Sequence, residues 1–158
     1  MSQWIGFTNK KLYQSRLLLS EFAQCEQKAL MSALEESALY QLHDAWLSYL
    51  QELGDMVAYR QPVQSLQELV GQVNLITGEM RELMQLQDNA FSWLSQMLKA
   101  VEDLRYPDAA RPVQQAGAQN GGVQTISLVQ ETTESQVAAW WQALSALIDT
   151  QRENRQES

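Results

Sequence analysis

The sequence predicts an all-α protein, an antiparallel bundle of about four main helices with a flexible linker before the last one. Apolar residues recur at steps of three and four in four long stretches, which is the spacing of one buried helical face. Ala, Leu, Gln and Glu dominate the chain and favour helices, while only 7 Gly and 3 Pro interrupt its 158 residues. Helices that each carry one apolar stripe bury those stripes most economically against one another.

The first two helices are expected over residues 9–27 and 30–59, with a break near 25–28. Thr8 is the expected N-cap of the first, because its hydroxyl can accept a hydrogen bond from a free backbone N–H. Gly54 and Pro62 mark the end of the second. The buried face of the second helix is predicted to consist of six residues: Leu39, Leu42, Trp46, Tyr49, Leu50 and Leu53.

A shorter helical segment is expected over 63–76, followed by a long helix over 79–105 that Pro107 ends. The long helix has the most regular apolar spacing in the chain, with steps of about three and four residues throughout. Its predicted spine contains seven residues: Leu83, Leu86, Ala90, Leu94, Met97, Val101 and Leu104.

Three regions follow from these elements: a helical core at 1–106, a flexible linker at 107–124, and a C-terminal region at 125–158 that docks on the core. The linker contains Gly, Pro, Gln and Asn and little apolar bulk, so it cannot offset its ordering entropy by burial. Residues 123–130 alternate briefly between apolar and polar, which predicts a stretch that lies along a helix groove or stays disordered. The last helix is expected over 134–152, with Thr132 or Thr133 as its cap and a frayed tail over 151–158.

Charge and composition restrict the partners and the compartment. The formal net charge of −8 disfavours nucleic acid, whose phosphates attract basic surfaces. The longest aliphatic run, Leu17-Leu18-Leu19, is far shorter than the roughly 20 residues of a membrane span, so no membrane association is expected. A single Cys allows no disulfide framework and agrees with a cytoplasmic protein.

Reactive residues are scarce. His43 is the only histidine, so a metal site that needs two histidines is excluded. A bundle di-iron site would need a Glu three residues before it, where the sequence has Tyr40. His43 is therefore interpreted as a residue at the edge of a helical face rather than a catalytic base. We expect no catalytic residue, no metal site and no cofactor.

Several short motifs are similar to those of an uncharacterised family of short proteobacterial proteins, known only as a domain of unknown function. They are residues 8–17 (Thr-Asn-Lys-Lys-Leu-Tyr-Gln-Ser-Arg-Leu), residues 39–42 (Leu-Tyr-Gln-Leu) and Tyr59-Arg60. The resemblance continues through a variable linker into a C-terminal helix with a Trp near its start, here Trp140. It implies an all-helical cytoplasmic protein and supplies no substrate, cofactor or catalytic residue.

Two features are candidate sites. Lys10, Lys11 and Arg16 lie near the expected start of the first helix, where cations and free N–H groups together bind anions. The alternative is that these lysines pair with acids of another helix. Trp140 and Trp141 form a candidate interaction surface, because adjacent helical residues are about 100° apart and one ring can stay exposed. The alternative is core packing at the edge of the bundle.

The sequence thus favours a non-enzymatic helical interaction or regulatory protein with a protein partner. The alternative is a bundle that binds a small molecule or a nucleotide-like anion at Lys10, Lys11 and Arg16. An enzyme of unknown type is a third and weaker interpretation. The sequence leaves homo-oligomerisation open.

Overall fold

The computed structural model describes residues 2–107 and 135–157, and all regular secondary structure in these two ranges is helical. The helices are α1 (Gln3–Gln24), α2 (Lys28–Met56), α3 (Leu66–Gln72), α4 (Gly78–Asp88), α5 (Trp93–Asp103) and α6 (Gln136–Glu157). The predicted all-α bundle is confirmed. Residues 108–134 fall outside the described ranges. They include the expected linker after Pro107, the segment at 123–130 and the expected caps Thr132 and Thr133.

Helix α1 begins six residues earlier than expected, with Ser2 and not Thr8 as its N-cap. The Ser2 hydroxyl accepts a hydrogen bond from the Trp4 N–H at 3.2 Å and donates to the Asp55 carboxylate at 2.6 Å. Thr8 lies fully buried inside the helix, and its hydroxyl donates to the Trp4 carbonyl oxygen at 2.8 Å. The prediction was wrong because Ser and Thr are both good caps, and the tertiary bond to Asp55 favours the earlier one.

Helices α1 and α2 form an antiparallel hairpin, and α2 is the central helix of the bundle. Thr8 meets Ser48 through a hydroxyl–hydroxyl contact of 2.6 Å, and the Ser15 hydroxyl donates to the Ala38 carbonyl oxygen at 2.8 Å. Both contacts are buried, so small polar residues join the two helices at close range. The turn between Gln24 and Lys28 confirms the break that the sequence predicted there.

The predicted buried face of α2 is confirmed. All six of its residues are buried, and each leaves less than a twentieth of its surface to solvent. They pack against residues of α3, α4, α5 and α6 in one continuous core. A side chain spacing of three and four residues over 15 residues was enough to identify this face, because α2 is a single uninterrupted helix.

The single long helix expected over 79–105 is wrong: Asn89–Ser92 separates α4 from α5. The Asn89 side chain accepts a hydrogen bond from the Phe91 N–H at 3.0 Å, and Ser92 caps α5 by accepting from the Ser95 N–H at 3.1 Å. The Ser95 hydroxyl lies 2.7 Å from the Gln87 carbonyl oxygen that the break leaves free. Asn and Ser side chains satisfy backbone groups locally, which offsets the loss of helical hydrogen bonds.

Helix α6 lies beside both α1 and α2 and runs parallel to α2. Ser135, just before α6, bonds through its hydroxyl to the Glu35 carboxylate, and Arg152 near the other end bonds to Glu52. Since α1 is antiparallel to α2, α6 is antiparallel to α1. The part of the chain that the structure describes holds no helix both long and apolar enough to cross a membrane.

Gly54 and Gly71 provide a matched pair for testing the packing at the end of α2. A Cβ at Gly54 would lie 2.9 Å from the Tyr59 carbonyl oxygen, whereas a Cβ at Gly71 would meet nothing within 4 Å. We expect Gly54→Ala to lower the free energy of unfolding by about 2 kcal/mol, because backbone cannot easily move aside. Gly71→Ala is expected to raise it by about 0.5 kcal/mol through helix propensity. Urea unfolding of both variants checks this, and equal effects would contradict the close approach.

Candidate functional site

A buried ion pair holds α6 against α2. The Glu52 side chain is 2% exposed and accepts two hydrogen bonds from Arg152, at 3.2 Å from Nε and 2.8 Å from Nη2. Arg155, one turn further along α6, lies 3.9 Å from the Glu52 carboxylate and 3.8 Å from that of Glu79. One buried carboxylate is therefore neutralised by two arginines of the C-terminal helix, as a buried charge requires.

Tyr49 extends this network. Its hydroxyl donates to the Gln151 side-chain oxygen and accepts a hydrogen bond from Arg155 Nη1 at 3.1 Å. Burial raises the pKa of Tyr49 to about 12, so the hydroxyl stays protonated and remains a donor. The tail that was expected to fray over 151–158 is helical as far as Glu157, where Gln151, Arg152 and Arg155 anchor it. The polar residues in this stretch looked like a solvated tail because their partners lie about 100 residues earlier.

Both tryptophans of the candidate interaction surface contact other residues of the same chain. Trp140 is 7% exposed and belongs to the core. Trp141 lies between α6 and α1, where its indole N–H donates to the Leu12 carbonyl oxygen at 2.8 Å. The Arg16 guanidinium lies 5.9 Å from the centre of the Trp141 ring. In this arrangement the pair attaches α6, and its use by a partner stays a prediction that requires α6 to move away.

The three cations of the candidate anion site contact different neighbours. Lys11 Nζ lies 3.4 Å from the Asp44 carboxylate and 3.1 Å from the Gln41 side-chain oxygen, both on α2. Arg16 faces Trp141 on α6, and Lys10 is exposed. Because α1 begins at Gln3, its free N–H groups lie before these residues. Lys11 thus pairs with an acid of another helix, which is the alternative that the sequence offered. Anion binding at Lys10, Lys11 and Arg16 stays a prediction, which a thermal-shift measurement with phosphate tests.

The half of the α1–α2 hairpin nearest its turn, residues 16–37, contains no buried residue. We call this segment the hairpin arm. Leu17 and Leu30 each expose 47% of their surface. Five further apolar side chains of the arm are only partly buried: Leu18, Leu19, Phe22, Met31 and Leu34. The arm was not predicted from the sequence, although the Leu17-Leu18-Leu19 run places apolar side chains on several sides of α1.

A shallow groove adjoins the arm. It lies between the end of α1 and the start of α6, has a volume of about 310 Å³, and has Leu19, Phe22, Ala138 and Ala139 in its walls. The side chains that line it are mainly apolar. The groove therefore extends the apolar surface of the arm toward α6.

His43 lies in a second cleft, of about 210 Å³, between α2, α3 and α5, with Trp46 and Leu66 in its walls. Glu102 and Arg105 lie at its edge and form an ion pair of 3.4 Å. Desolvation by burial lowers the pKa of His43, opposed by Asp44 and Glu102 and assisted by Arg105. No group of three or more His, Cys, Asp or Glu that could hold a metal ion occurs within 2–107 and 135–157.

The lowered pKa of His43 predicts a pH dependence. Unfolded His43 takes up a proton at about pH 6.5 and folded His43 only below it, so acidification through this range favours the unfolded chain. We expect the Cε1–H resonance of this sole histidine to titrate below pH 6.5 in the folded protein and near 6.5 in urea. His43→Gln should remove this part of the acid destabilisation. A folded midpoint at or above the urea value would contradict the burial.

Comparison with known proteins gives one match. A family model described as a family of unknown function, DUF6586, matches residues 1–158. No curated protein and no solved structure matches the chain. The match confirms the expected relation to an uncharacterised family, while the proteobacterial origin and the starting motif stay expectations. The chain belongs to the family of unknown function DUF6586.

Proposed function

We propose that this protein is a non-enzymatic helical interaction or regulatory protein that binds a protein partner through the hairpin arm. One observation carries the proposal: residues 16–37 contain five Leu, one Phe and one Met, yet none of them is buried. Apolar surface that stays in water costs free energy, and a partner that covers it recovers that cost. A partner that covers the arm would therefore bury apolar side chains along its whole length.

The pattern of the arm supports this further. Leu17, Leu18 and Leu19 follow one another at about 100° steps, so their side chains point in three directions from α1. A two-helix hairpin buries only one face of each helix, and a helix that is apolar on several sides belongs inside a larger bundle. The apolar residues of the arm therefore exceed what α2 alone can cover.

The proposal includes a cytoplasmic setting. Cys25 is a free thiol in the turn at the end of the arm, and free thiols persist in reducing compartments. The net charge of −8 also favours a protein over a nucleic acid as the partner.

Site-specific photo-crosslinking in living cells tests the proposal. We place a photoreactive phenylalanine analogue at position 17, 30 or 91 of the full chain, one position at a time. Phe91 is the matched control, because it is 88% exposed and lies between α4 and α5, outside the arm. We expect defined crosslinked species from positions 17 and 30 and none from 91. Crosslinks that are absent from the arm, or equal at all three positions, would contradict the proposal.

A further inference from the structure

We infer that the hairpin arm binds a second copy of this chain, so that two arms pack about a two-fold axis into a four-helix bundle. This inference rests on the proposed function and names its partner. A two-fold interface uses the same surface on both copies, so each arm must be complementary to itself. Two apolar helical hairpins satisfy this requirement, because four helices can bury faces that two leave open.

The size of the arm suits a small interface between proteins. A standard specific interface uses about 20–30 residues from each partner, and smaller interfaces bind more weakly. The arm contains the 22 residues from 16 to 37, of which 15 are exposed, and a nine-residue helix such as its α1 half is about 14 Å long. The arm is the longest segment within residues 2–107 and 135–157 that contains no buried residue.

The charges of the arm permit self-association. It carries Arg16 and Lys28 against Glu21, Glu26, Glu35 and Glu36, which is a net charge of −2. Of the formal charge of −8, the remaining −6 lies outside the arm. Arg16 faces Trp141 and Glu35 bonds to Ser135 within the chain, so Lys28 is the cation of the arm that can pair with an acid of the second copy. Most of the negative charge of the chain stays away from the interface, which limits the repulsion between two arms.

Sedimentation equilibrium of the full chain tests the inference. We expect the mass of the wild type to rise from 18.0 kDa toward twice that value as its concentration approaches about 1 mM, because even a dimer with a dissociation constant of about 1 mM is then about half populated. Leu17→Glu/Leu30→Glu should raise the dimer dissociation constant at least about 100-fold, because each change counts twice across a two-fold axis. These side chains are half-exposed, so circular dichroism should show unchanged helicity. The control Phe91→Glu should leave the dimer intact.

The lone cysteine provides a second, independent readout. A nitroxide on Cys25, in the turn of the arm, puts one spin on each chain, so a dipolar distance arises only between copies. We expect a distance below about 40 Å, since the arm itself is only about 14 Å long. The distance should disappear in the labelled Leu17→Glu/Leu30→Glu variant and persist in Phe91→Glu.

The outcomes separate the two proposals. If the wild type is monomeric and shows no dipolar distance, the arm does not bind a second copy of the chain. The same conclusion follows if the protein is a dimer that Phe91→Glu disrupts and Leu17→Glu/Leu30→Glu does not. If such a monomer still crosslinks in cells to another protein from positions 17 and 30, the interaction function stands with a different partner. If the arm positions give no crosslinks either, both proposals fail.

Discussion

Trp46→Ala is expected to lower the free energy of unfolding by about 4 kcal/mol, the range typical of a large aromatic side chain removed from a core. Trp46 is 1% exposed at the middle of α2, the helix around which the others pack. Removing its ring loses the transfer free energy of the indole and leaves a cavity that neighbouring helices fill only in part. Urea unfolding followed by circular dichroism measures the change.

Phe91→Ala is the matched control for this experiment. Phe91 is also a large aromatic residue, but it is 88% exposed in the turn between α4 and α5. Its removal should change the free energy of unfolding by less than about 0.5 kcal/mol. Similar losses for the two variants would mean that Trp46 does not lie in the core.

Arg152→Met is expected to lower the free energy of unfolding by about 3 kcal/mol, because it leaves the buried Glu52 carboxylate without its bidentate partner. Arg155 compensates only in part, since its guanidinium lies 3.9 Å from Glu52 and also faces Glu79. Methionine keeps most of the length of the side chain, so the effect reports the lost charge more than lost packing. The measurement is again urea unfolding.

A double-mutant cycle separates the ion pair from the rest of the interface. Glu52→Leu combined with Arg152→Met removes both charges, and apolar replacements of a buried pair are often close to neutral. We expect the double variant to be more stable than the sum of the single changes implies, by about 2 kcal/mol. Simple additivity would show that the two side chains do not interact strongly in solution.

Features with a local cause were predictable from the sequence. The buried face of α2 follows from the spacing of its apolar residues. The break after Gln24 was expected because one soluble helix of about 50 residues could not bury both of its faces outside a coiled coil. The break at Asn89–Ser92 also has a local cause, in the cap and turn bonds of Asn89 and Ser92. It was missed because the apolar spacing continues across it, and spacing alone cannot reveal a turn of nearly one helical repeat.

Features that depend on distant partners were not predictable in the same way. Gln151, Arg152 and Arg155 form a polar stretch that reads as a solvated tail until Tyr49, Glu52 and Glu79 are placed beside it. Trp141 likewise receives its role from the Leu12 carbonyl oxygen, 129 residues earlier. Polar side chains carry no periodic signal of burial, because their burial depends on partners that only the fold supplies.

The sequence by itself determined that the protein is helical and which side of its central helix is buried, because helical periodicity is a property of neighbouring residues. Only the tertiary structure decided that α6 lies parallel to α2, that a buried carboxylate anchors it, and that residues 16–37 include no buried side chain. All three features depend on how the helices are placed against one another, which the spacing of neighbouring residues does not specify. An apolar residue in an uncovered segment has the same sequence pattern as one in the core, so exposure became visible only after packing was known.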